Sequence, residues 1–143
     1  MALKYQTEID NLQISAVCPN GVLPATGAIA YRFSYTPITH DLNFLPNVVF
    51  DRMKGLGFNY GTASANRKCS RCGASFYETR DSAVNKWNSL TEQVRENLGY
   101  THLAVGTLDK TDGLVSTPRD GHFSFYEYID ADLTKKFKIV ADL

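Results

Sequence analysis

Apolar residues recur along the middle of the chain at Ala83, Trp87, Leu90, Val94 and Leu98, at spacings of three and four. Such a stripe has the helical period, and it predicts one main amphipathic helix over about residues 80–98. Thr79 or Asp81 can cap its start, and Gly99 stands where a left-handed C-cap belongs. Asn85, Lys86, Asn88, Glu92 and Arg95 form its polar side.

The other segments read mainly as strands. Leu12 to Val17, Ala28 to Tyr35 and Ala74 to Tyr77 precede the helix, and Thr101 to Leu108, His122 to Ile129 and Lys138 to Val140 follow it. Asp130 to Lys136 suits a short helical turn, and Pro46 to Leu56 suits either type of element. Gly57 to Arg71 lacks periodicity and is rich in turn formers, so a loop is expected there. Many strands around one long helix imply an α+β fold, a mostly antiparallel sheet packed by that helix. No repeat or linker divides residues 1–143, and a single domain is expected.

Charge narrows the function classes. Fifteen basic and fifteen acidic residues cancel, which argues against general nucleic-acid binding. The short basic groups Arg67-Lys68 with Arg71, and Lys135-Lys136 with Lys138, read as solvated charges. No apolar run approaches the roughly 20 residues of a membrane-spanning helix. Glu8 and Asp10 interrupt the region where a signal peptide would be apolar, so a cytoplasmic location is expected. Three cysteines then suggest free thiols rather than a disulfide framework.

Cys69-Ser-Arg-Cys72-Gly73 has the form of one knuckle of a zinc ribbon, in which a tight turn aims both sulfurs at one ion. A closed site needs further ligands, and Cys18 with His40 would complete a set with Cys69 and Cys72. The competing reading is of ordinary buried thiols. If Thr101–Leu108 pairs with His122–Ile129, His102 and His122 lie roughly 20 Å apart and share no ligand.

Strand alternation aligns Glu127 with Phe123, Phe125 and Ile129. A carboxylate there sits either at the sheet's rim in water or buried with a partner. Arg32 is similarly set among Ala28, Ala30 and Ser34, with room to meet an anion. The order of Arg32 on an early strand, Ser75 on a strand leading into a helix, and Glu127 on a late strand resembles the Arg–Ser–Glu order of ADP-ribosyltransferases. That resemblance implies a nicotinamide dinucleotide as substrate, held by Arg32, with Ser75 supporting the site and Glu127 guiding transfer. Ala74-Ser75-Phe76 departs from the family's paired hydroxyls, and Phe125 stands where a second acidic or amide residue belongs.

No motif for chemistry is complete, and no glycine-rich phosphate loop is present. The leading expectation is therefore a binding or interaction domain for a protein partner or small ligand. Its surface would be the aromatic strand Phe123–Tyr128 and the Gly57–Arg71 loop. A dinucleotide-using transferase and a zinc-stabilised accessory module are the alternatives.

Overall fold

The computed structural model describes all 143 residues. Its sheet has seven strands, β1 (Val22–Pro24), β2 (Ala28–Ser34), β3 (Ala74–Tyr77), β4 (His102–Leu108), β5 (Gly113–Ser116), β6 (His122–Glu127) and β7 (Phe137–Asp142). They are ordered β1-β5-β6-β3-β2-β4-β7, and every neighbouring pair is antiparallel. Helices α1 (Gln6–Asn11), α2 (Asn47–Lys54), α3 (Ala65–Arg71), α4 (Arg80–Ser89) and α5 (Glu92–Leu98) complete an α+β fold. No helix is long and apolar enough to cross a membrane.

β2 and β4 are zipped from Ala28↔Leu108 to Ser34↔His102. One face of the sheet is ringed by Phe76, Phe123, Phe125 and Phe137, with Phe44 and Leu133 closing over them. Alternation also puts Ala104 and Gly106 on that face, a small-residue strip that invites close approach. What approaches is the adjoining strand rather than a helix: a Cβ on Gly106 would stand 2.6 Å from Cγ of Phe137. On the other face Phe33, Tyr77, Ala83, Trp87 and Leu103 pack together. A third cluster joins Ile9, Ile14, Val48 and Tyr126 around the cysteines.

The expected single helix over 80–98 is two helices. Thr79 and Ser82 form a reciprocal capping box at the start of α4, whose Ala83 and Trp87 are buried. Leu90 then turns extended, and the Thr91 hydroxyl accepts from the Val94 amide to start α5. A threonine able to cap has broken a periodicity that otherwise runs on. No residue of α5 is buried, and Val94 is exposed.

Other expectations change as well. Leu12–Val17 is not a strand, because the chain forms α1 and then turns. Pro46–Leu56 resolves as α2, and α3 occupies part of the expected loop, started by Ser64 accepting from the Arg67 amide. β4 and β6 do not pair: β3 and β2 lie between them. Strand β6 lies inside the sheet, where Phe123, Phe125 and Tyr126 are buried and do not form the expected exposed aromatic surface.

The cysteines also depart from expectation. Cys18 and Cys69 form a disulfide across a sequence separation of 51 residues, with their Cα atoms 5.5 Å apart. The helix starts and turns that bring α3 against the segment after α1 are not written in cysteine spacing. Such bonds persist in oxidising surroundings and are rare in the reducing cytosol, which bears on the cytoplasmic expectation.

Candidate functional site

Ser75 lies midway along β3, and the strand's register sets Tyr77 opposite His122 and Ser75 opposite Ser124 on β6. Side chains that are diagonal neighbours across a strand pair come within reach. Accordingly, His122 Nε2 and Ser75 Oγ are 3.0 Å apart. Asn47, at the start of α2, donates its Nδ2 hydrogen to the same Oγ at 3.0 Å. The Tyr77 ring packs edge-on to the imidazole, with centroids 5.4 Å apart. Burial, and then the charge of Lys86, holds the His122 pKa below its ordinary value.

These groups line a cleft of about 490 Å³ that also takes in Ser70, Arg71, Lys86, Arg119 and Asp120. Arg71 ends α3, Lys86 projects from α4, and Arg119 and Asp120 come from the turn between β5 and β6. The cleft shares Asn47, Arg71, Ser75, Tyr77 and Lys86 with a smaller hollow of about 200 Å³ that reaches Arg32, Asp51 and Tyr100. Four cationic side chains face two carboxylates across the combined lining. Asp51 is consumed locally: buried, it accepts from Tyr60 Oη at 2.7 Å and from Arg71 through both Nε and Nη2. Phe58 supports Arg71 from its ring face, 4.8 Å from the guanidinium carbon. Lys86 and Arg119 form no ion pair.

Arg32 is the unusual group. It is 2% exposed and forms no ion pair. β2 and β3 share only the pair Tyr31↔Tyr77. Next to that pair the guanidinium crosses to β3, where Nη1 donates to the Ser75 carbonyl at 2.8 Å. Nη2 donates to the Leu45 carbonyl at 3.5 Å, and Nε has no partner. The rings of Phe44 and Phe76 flank the cation at 5.9 and 5.4 Å. A buried cation without a carboxylate is costly, and an orphaned donor adds to the cost.

Of the residues expected from the ADP-ribosyltransferase resemblance, the structure brings Arg32 and Ser75 together. Glu127 stands apart, in a small pocket with Leu3, Tyr5, Ile9 and Cys72. It is buried and holds a partner, Lys4, whose Nζ donates to Oε2 at 2.5 Å. Burial pushes the Glu127 carboxyl up, while Lys4 and, less strongly, Arg32 pull it down; the net direction is upward.

The expected zinc quartet does not assemble. Cys18 and Cys69 spend their sulfurs on each other, and Cys72 is a buried free thiol pushed up to about 11 by burial. His40 stacks on Tyr35 at 4.7 Å and accepts the Leu42 amide through Nδ1. No group of three or more His, Cys, Asp or Glu side chains has the geometry to hold a metal ion.

Asn47, Arg71, Lys86 and Arg119 were not legible as site residues. Arg71 reads as a solvated charge and Lys86 as part of a helix's polar side, because nothing in the local pattern says that α3 and α4 line the same cleft. No family model, characterised protein or solved structure matches this chain.

Proposed function

We propose that the protein is a binding domain for a small anionic ligand, taken up in the cleft between β3, β6 and helices α2, α3 and α4. The observation that carries this reading is Arg32, a buried guanidinium with no ion-paired carboxylate and an unpartnered Nε, in the lining of the hollow that shares five residues with the cation-rich cleft. Folding desolvates this charge with no carboxylate to compensate it, a deficit that an anionic ligand would make good. Lys86 and Arg119, unpaired at the mouth, add attraction for an incoming anion. The site volume and its hydroxyl, amide and imidazole donors suit a phosphate-bearing small molecule.

A nicotinamide dinucleotide is one anion of this kind, and the Arg32–Ser75 contact favours it. A transferase using that contact would need an acid other than Glu127, which is engaged by Lys4.

Titration calorimetry with inorganic phosphate tests the proposal. Saturable binding that weakens as salt rises is expected, with uncharged glycerol giving no heat of binding. Equal responses to phosphate and glycerol, or no phosphate binding at millimolar concentration, would refute it.

A further inference from the structure

Within the cleft, Ser75, His122 and Asn47 are arranged for more than binding. Asn47 donates into Ser75 Oγ, so that contact uses an oxygen lone pair and leaves the hydroxyl hydrogen uncommitted. The acceptor within reach of that hydrogen is His122 Nε2, at 3.0 Å. The imidazole therefore presents a lone pair at Nε2 and carries its hydrogen on Nδ1, a tautomer assigned from the network. A hydroxyl pointed at a neutral imidazole is a nucleophile paired with its base. The packing of Tyr77 against the ring fixes its plane, since Tyr77 and His122 face each other in register.

The electrostatics around this pair suit one substrate class. Arg32 binds the main-chain carbonyl of Ser75 itself, placing a positive charge beside the nucleophile. Lys86 and Arg71 line the same cleft. Phosphoryl transfer asks a protein mainly to position an oxygen nucleophile and neutralise a spread negative charge. Resting on the anion-site reading above, we infer that the cleft hydrolyses phosphate monoesters, with Ser75 as the nucleophile and His122 as its base.

Ser75 Oγ attacks phosphorus as its proton passes to His122 Nε2. The bond from phosphorus to the ester oxygen breaks on the side opposite Oγ, and that oxygen takes a proton from water and leaves as an alcohol. The hydroxide so formed attacks the phosphoserine from the same side, the bond from phosphorus to Oγ breaks, and His122 returns its proton to Oγ. The products are one alcohol and inorganic phosphate. Burial, and then the Lys86 charge, favour the neutral imidazole, the form in which His122 can act as a base.

The test uses the intact protein with p-nitrophenyl phosphate, reading nitrophenolate release. Alongside it, orthovanadate, which mimics the five-coordinate phosphorus, is compared with inorganic phosphate for binding. Turnover should fall about 10²-fold or more in Ser75→Ala and in His122→Gln. Vanadate should bind at least about 10²-fold tighter than phosphate to the unaltered protein, a measurement independent of how the variants fold. Phosphate binding without turnover and without a vanadate preference overturns the inference and leaves the anion site standing. Turnover that survives Ser75→Ala overturns it too, and absence of both binding and turnover removes the anion site with it.

Discussion

Replacing Arg32 by methionine distinguishes a charge kept for a ligand from one kept for the fold. Methionine retains the length of the stem between Phe44 and Phe76 and removes the charge. On the debit side, the Ser75 carbonyl loses its 2.8 Å donor, at roughly 1–3 kcal/mol for an unsatisfied buried acceptor. The flanking rings lose a desolvated cation, worth about 2 kcal/mol or more. On the credit side, the orphaned Nε disappears, returning about 1–3 kcal/mol. The burial of an uncompensated charge is relieved as well, and replacing buried charges by apolar groups is neutral or stabilising by about 1–4 kcal/mol. The opposing effects are of like size, so urea unfolding should place Arg32→Met within about 2 kcal/mol of the parent. Phosphate affinity should drop about 10- to 100-fold, the worth of a charged hydrogen bond. A variant destabilised by more than about 4 kcal/mol would show a structural arginine. A stable variant that still binds phosphate normally would show that the cation is not part of the site.

The disulfide and Glu127 give two further tests. The Cys18–Cys69 bond closes a loop with a sequence separation of 51 residues, so reduction or Cys18→Ser should cost about 4 kcal/mol by chain entropy; three titratable thiols in urea without reductant would show that the bond is absent. Because burial raises the Glu127 carboxyl, the folded chain holds that proton more tightly than the unfolded one. The stability it contributes is present below the ordinary value of 4.5 and is lost as pH rises through the raised one. Glu127→Gln, which does not titrate, should therefore gain on the parent in urea midpoint as pH climbs from acid to neutral; a constant difference across that range would contradict the burial effect.

Local pattern was enough for elements whose cause is local. Ala74–Tyr77 is legible residue for residue, as are the seven residues of β2 within the expected Ala28–Tyr35, because alternating apolar side chains need only a half-buried strand. Trp87 was legible as a core residue because its stripe has the helical period, and it is 8% exposed. The same stripe misread Val94, since periodicity cannot register that Thr91 offers a second cap.

Long-range placement was decided by tertiary structure alone. Arg32 looked like an arginine with room for an anion, but that it makes no ion pair and reaches the Ser75 carbonyl beside the single β2–β3 pair was decided by strand placement. Glu127 left two readings open, and the choice was made by Lys4, 123 residues away in sequence. Ser75, His122, Asn47 and Lys86 converge because β6 pairs with β3 instead of β4, and because the start of α2 and the body of α4 come to the same cleft. Sequence records the propensity of each segment, whereas strand order and helix docking depend on which distant apolar faces bury each other, and the site lies where those segments meet.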